Sequence, residues 1–199
     1  MKTSSVMLAC ALVACAVFLP GCPCPPNSII MSDRALESAV RAALDMPFGC
    51  LTPADLLRVI ELQASELAIT QLDGLEFCEN LITVNLSNNE IQSISEIAGL
   101  QNVTYLDLSN NQITNIEPLA GLFFLQTLIL DGNDGIRDWS ALEANVANGG
   151  FPEGGTVVVG AEAVEDEEGN LVPSFERAQT ALVAAGVDVI ITTAGPAGS

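Results

Sequence analysis

Apolar residues recur along the middle of the chain in columns spaced 22 residues apart. One column holds Leu62, Val84, Leu106 and Leu128. A second, two residues further on, holds Leu86, Leu108 and Leu130, with Ala64 ahead of them. Others run Ile69–Ile91–Ile113, Leu72–Ile94–Ile116, Leu75–Ile97–Leu119 and Cys78–Leu100–Leu122. Polar letters keep the same step, so "TVNLSNNEI" (83–91) returns as "YLDLSNNQI" (105–113), and Asn89, Asn111 and Asn133 share one position. Alternation over L-x-L predicts a short strand with one buried face. A supersecondary unit written several times at a fixed period predicts a solenoid, in which each copy buries its apolar side against the next.

The pattern, L-x-x-L-x-L-x-x-N-x-I, is that of leucine-rich repeats, with two near-perfect copies at 81–102 and 103–124 and looser flanking ones. Its 22-residue form resembles the repeats of bacterial internalins. The expected fold class is therefore α/β, a short leucine-rich repeat solenoid with a parallel β-sheet on its concave face. Asn89, Asn111 and Asn133 fall where the chain turns inward after each strand. A carboxamide carries donors and an acceptor, so these three should form a structural ladder that satisfies buried backbone groups. The fourth copy gains one residue between Asn133 and Ile136, which puts Trp139 in the column of Ile94 and Ile116, as core.

A solenoid needs covered ends. Leu36, Val40 and Leu44 recur every four residues and predict a helix. "TPADLL" predicts a second, with Thr52 as N-cap, Pro53 in the first turn and Asp55 closing a capping box. Together these make a helical N-terminal cap over 32–58, ahead of repeats over 59–143. Helical caps of this sort precede the repeats in internalin-like proteins. Over 144–193 the period is lost. "TVVVG" (156–160) and "VDVIIT" (187–192) read as strands flanking a helix that Ser174 starts and Gly186 stops. Such a strand-helix-strand C-terminal cap extends the parallel sheet, leaving 194–199 as a disordered tail.

The N-terminal stretch has a different character. Lys2 precedes an apolar run from Val6 to Leu19, too short to span a bilayer but suited to a signal peptide. It ends at Leu19-Pro20-Gly21-Cys22, which resembles the bacterial lipobox; the resemblance implies cleavage after residue 21 and a lipid on Cys22. Ordinary secretion with cleavage nearby is the alternative. Residues 22–31, opening Cys-Pro-Cys-Pro-Pro, then form a tether. The expected location is outside the cytoplasm, on a membrane-anchored lipoprotein of the bacterial cell envelope. Among the remaining cysteines, a Cys50–Cys78 bridge is one expectation and free thiols the other, since Cys78 sits in a leucine column.

Composition narrows the function. The chain carries 25 acidic residues against 6 basic ones, a formal charge of −19, and no histidine. Such a surface repels nucleic acid and anionic lipid, so no nucleic-acid partner is expected. Without histidine, and with Lys2 in the signal segment, serine and cysteine nucleophiles lack their commonest bases, so no enzyme is expected. Zinc spacings are missing. "DGNDG" (131–135) fails as a calcium loop because Ile136 and Leu142 stand where glycine and glutamate belong. Glu165-Asp166-Glu167-Glu168 reads as a solvated charge run. No cofactor and no metal are called for.

The internalin resemblance implies protein binding, and the composition agrees. The expected function is a monomeric, non-enzymatic module that binds an unidentified protein ligand on the concave face. The outward strand residues Thr83, Asn85, Tyr105, Asp107, Thr127, Ile129 and Asp131 are the candidates. A structural envelope protein with no discrete ligand is the alternative, and a carboxylate-based enzyme a remote third.

Overall fold

The computed structural model describes residues 24–166 and 169–193. The expected signal segment, the expected lipid site Cys22, Glu167, Glu168 and the expected tail at 194–199 lie outside the described residues.

Six parallel strands form one sheet in chain order. They are β1 (Glu61–Gln63), β2 (Thr83–Asn85), β3 (Tyr105–Asp107), β4 (Thr127–Ile129), β5 (Thr156–Gly160) and β6 (Asp188–Thr192). The register pairs Leu62 with Val84, Val84 with Leu106, and Leu106 with Leu128, so the 22-residue columns become rows across the sheet. Every apolar column named above is buried. Behind the strands, single turns of 3-10 helix close the repeats at Leu75–Phe77, Ser95–Gly99 and Glu117–Gly121. In the last two, Ile94 and Ile116 stand immediately before the helix. Trp139 takes that place in the fourth repeat, is fully buried, and packs edge-on against Phe175 with ring centroids 5.1 Å apart. There the 3-10 turn gives way to α3 (Ser140–Ala147), a helix that sequence periodicity does not reveal.

The asparagine ladder joins neighbouring repeats. Asn111 Oδ1 accepts from the Ile91 amide at 3.1 Å, one repeat back, while its Nδ2 donates to the carbonyls of Leu86 and Leu108, both at 3.0 Å. Asn133 repeats the scheme with Ile113, Leu108 and Leu130. Asn89 does so with Leu67, Ile69, Ala64 and Leu86. The residue before each asparagine is left-handed: Asn88 at φ 57°, Asn110 at 53° and Gly132 at 71°, with Glu66 at 60° in the first turn. Asparagine and glycine tolerate that region better than other residues, which explains the doubled Asn-Asn.

The N-terminal cap consists of α1 (Arg34–Leu44) and α2 (Pro53–Leu56). Thr52 and Asp55 form the expected capping box. Asp33 does more than the sequence indicates. Its Oδ1 accepts from the Ala35 and Leu36 amides to start α1, and its Oδ2 accepts from the Thr70 amide at 2.8 Å, fastening the cap to the first repeat. Burial pushes the Asp33 pKa up, but backbone N–H groups, that of Thr70 first, outweigh it and hold the pKa below the usual value. A depressed carboxylate stabilises the fold above its unfolded pKa of about 4 and ceases to do so as pH falls through the folded value. Melting of wild type should therefore decline more steeply below about pH 4 than melting of Asp33→Asn. Parallel pH profiles would remove Asp33 from this role.

The cysteine expectation changes at Cys50, while Cys78 is the buried free thiol that its leucine column implied. Cys50 is bonded to Cys24, not to Cys78. Cys78 is a free thiol, fully buried in its leucine column, where burial pushes its pKa up to about 12. Cys78 is held inside the core by its column, whereas Cys50 is only half-buried, just ahead of Leu51. The bridge also means that residues 24–31 are no loose tether. They are fastened by the disulfide, by an antiparallel bridge between Ile29 and Leu51, and by the buried side chain of Met31.

The C-terminal cap has the expected strand-helix-strand order, with a short α4 (Ala161–Val164) and then α5 (Pro173–Ala184) between β5 and β6. Ser174 does not cap α5. The helix starts one residue earlier, at Pro173 after Val172, and the Ser174 hydroxyl donates to the Arg137 carbonyl at 3.0 Å. Gly186, at φ 79°, ends the turn after the helix as expected.

Candidate protein-binding face

The sheet has one side buried against the core and one side open. Strand register arranges the open side in two rows. The first reads Glu61, Thr83, Tyr105, Thr127, Thr156, Asp188. The second reads Gln63, Asn85, Asp107, Ile129, Val158, Ile190. The expected candidates Thr83, Asn85, Tyr105, Asp107, Thr127 and Ile129 lie together in these rows, each half-buried. The sequence gives no sign of their continuation into Thr156, Val158, Asp188 and Ile190, because the spacing changes there: Thr127 to Thr156 is 29 residues and Thr156 to Asp188 is 32.

Some of these side chains also hold the scaffold. Asn85 Oδ1 accepts from the Ser87 amide and hydroxyl at 3.0 and 2.8 Å. Asp107 Oδ1 does the same for Ser109 at 2.9 and 2.6 Å. The serine column thereby folds back on its own strand, and Ser87 is buried rather than outward. Asp131, at the end of β4, accepts from the Thr192 hydroxyl at 2.6 Å and so ties the fourth repeat to the last strand. Tyr105 stands between Thr83 and Thr127. Burial, then the charge of Asp107, pushes its phenol above the ordinary pKa, so it meets a partner as a neutral donor.

Asn145 is a buried residue that sequence reasoning missed. It lies on α3, and its Nδ2 donates to the carbonyls of Leu119 and Leu122 at 2.8 and 3.0 Å, closing the last 3-10 turn. It stands outside the 22-residue step, so no column marks it.

The face is electrostatically one-sided. No arginine lies on any of the six strands. Arg41 pairs with Glu37 and Arg58 with Asp55 in the N-terminal cap, and Arg177 with Glu143 in the C-terminal cap. Among the described residues, grooves also open away from this face. One, of about 480 Å³, runs past Phe123, Phe124 and Pro152 and is lined by no ionisable side chain. Another, of about 510 Å³, lies beside the Arg177–Glu143 pair. Among the described residues no group of three acids or cysteines is placed to hold a metal ion, and no helix is long and apolar enough to cross a membrane.

Fold and face together define a leucine-rich repeat solenoid. Residues 79–122 and 101–144 match the family described as Leucine Rich repeats (2 copies). The structure is similar to that of an internalin (inlF) from Listeria monocytogenes, with a TM-score of 0.60 and 21% identity over 88% of this chain. A second Listeria monocytogenes internalin (inlC2) aligns over 86% of this chain at 21% identity, with a TM-score of 0.39. The chain covers 60% of the length of the first. The matched residues carry the pattern of that repeat family, and the α/β solenoid is a fold similar to that of the first internalin.

Proposed function

We propose that this protein is a non-enzymatic protein-binding module, exported and held at the bacterial cell envelope by a lipid on Cys22, and that it binds through the open face of its sheet. The observation that carries the reading is the division of labour within each repeat. The inward columns and the asparagine ladder repeat from copy to copy, whereas the outward rows change, from Thr83 to Tyr105 to Thr127 and from Asn85 to Asp107 to Ile129. Constant letters build the scaffold; varying letters on a continuous surface select a partner. The Cys24–Cys50 disulfide supports export, since such bonds persist in oxidising compartments.

Six strands at a spacing of ~4.8 Å make a face roughly 25–29 Å across. That is a modest platform beside the ~800 Å² per partner of a standard interface. A rigid aromatic near its middle should carry a large share of the energy. Tyr105→Ala is expected to weaken binding by about 1–2 kcal/mol with the fold intact, whereas Gln112→Ala, in the turn beyond β3, should change nothing. The measurement is a titration against the protein recovered by affinity capture from native envelopes, with circular dichroism as the folding control. Wild-type affinity for Tyr105→Ala, Asp107→Ala and Ile129→Ala alike would move the site off this face. The anchor has a separate test. Cys22→Ser should abolish fatty-acid labelling and release the chain from membranes, and continued labelling of that variant would rule out the lipid at Cys22.

A further inference from the structure

We infer that the C-terminal half of the open face receives an extended peptide segment that pairs aliphatic side chains with lysine or arginine. This deepens the proposed function and rests on its choice of face.

Ile129, Val158 and Ile190 lie side by side on β4, β5 and β6. Strands are ~4.8 Å apart, so the three make a continuous apolar stripe across half the sheet. Ile129 and Val158 are half-buried, and Ile190 on the edge strand is 47% exposed. On the N-terminal half the same row is Gln63, Asn85 and Asp107, so the stripe has a defined beginning.

Carboxylates border the stripe on three sides. Asp107 adjoins Ile129 along the row. Asp188 precedes Ile190 by two residues, and Asp131 follows Ile129 by two, a distance of roughly 7 Å along a strand. At the Asp131 border the carboxylates of Asp131 and Glu162 close over the buried Gly160, where a Cβ would lie 3.0 Å from Asp131 Oδ1 and 3.4 Å from Glu162 Oε2. Asp131 Oδ1 is already engaged by the Thr192 hydroxyl, and Glu162 is exposed. Among the described residues none of these acids forms an ion pair.

An apolar stripe fenced by carboxylates selects its occupant by both properties. A purely aliphatic segment leaves the fence unmatched, and a purely cationic one gains little from Ile129, Val158 and Ile190. An extended chain offers both, because successive side chains point to opposite sides and an aliphatic residue can settle on the stripe while its neighbours reach outward to the acids. Lysine or arginine reaching the exposed carboxylates of Glu162 and Asp188 is the electrostatic contact. Attraction to a chain of net charge −19 also speeds encounter and makes it salt-dependent.

The test immobilises the full-length protein and selects from displayed random peptides of about a dozen residues, a length able to cross the sheet. One recovered sequence is then synthesised and titrated, with pentalysine as a control. The expected result is recovery of peptides that combine Lys or Arg with Val, Ile or Leu. Affinity should fall about tenfold in Ile190→Asn and up to about fivefold in Glu162→Gln or Asp188→Asn. It should weaken as sodium chloride rises from about 50 to about 500 mM. All three sites are exposed, and a matching circular dichroism spectrum and melt establish that each variant folds. Recovery of acidic or neutral sequences, of no sequence above background, or of peptides that bind no better than pentalysine overturns the inference. So does indifference to Ile190→Asn and Glu162→Gln. If a peptide indifferent to these still loses affinity in Tyr105→Ala, the occupant is wrong and the face stands. If it binds all variants alike, the face falls as well.

Discussion

Asn111→Ala is expected to destabilise the protein by about 3 kcal/mol, far more than an ordinary surface-polar substitution. The carboxamide of Asn111 serves two turns at once. Its Nδ2 shares the Leu86 carbonyl with Asn89 and the Leu108 carbonyl with Asn133, so alanine leaves each of those carbonyls one partner. The Ile91 amide accepts no such rescue among its side-chain contacts: its bond to Asn111 Oδ1 is lost inside the core. An unpaired buried N–H costs about 1–3 kcal/mol, and the weakened carbonyls and the void left by the side chain add to it. Gln112→Ala, the exposed neighbour, should stay within about 0.5 kcal/mol. Denaturant melts of the two variants make the comparison, and equal midpoints would show that the ladder does not hold the turns.

Gly150→Ala should cost about as much, for a steric reason. A Cβ at Gly150 would sit 1.9 Å from Asn145 Oδ1, 2.7 Å from its Cγ and 3.0 Å from its backbone carbonyl. Asn145 cannot swing aside freely, because its Nδ2 is committed to the Leu119 and Leu122 carbonyls. Either α3 shifts or the last 3-10 turn loses its closure. We expect a loss of about 3 kcal/mol. Gly149→Ala is the control: its Cβ meets open space, and only its φ of 86° opposes the change, at about 1 kcal/mol. In Asn145→Ala/Gly150→Ala the worst contacts vanish, so the double variant should be less damaged than the two single losses added together. Strict additivity would mean that the two residues do not meet.

The repeats were readable because their periodicity is physical. A 22-residue step places Leu62, Val84, Leu106 and Leu128 in one buried row, and the register reproduces it residue by residue. The asparagine ladder was readable as a role, since a polar column amid leucines must satisfy something. Its direction was not, because no pattern of letters says that Asn89 reaches back to a first repeat whose own equivalent is Leu67. The helix α3 escaped notice because it replaces a 3-10 turn in the single copy where the period slips. The partner of Cys50 was hidden in the same way, for nothing in the sequence brings residues 24 and 50 together except a fold-back that only Ile29, Met31 and Leu51 record. For the candidate face, the polar half lay in the repeats and could be enumerated. The apolar half depends on Val158 and Ile190, which join the row through connections of irregular length.

The Cys24–Cys50 bond also decides how the molecule bears mechanical load. If the chain is held by its N-terminus and a partner tugs on the sheet, tension arriving at residue 24 crosses the sulfurs directly to residue 50. The segment between them, with α1 inside it, is short-circuited and feels no pull. Force enters just ahead of α2 and β1 instead, so the helical cover stays folded while the first strand is strained. Reduction of that one bond would reroute the same tension through α1, and the cover would then be the first part of the molecule to peel.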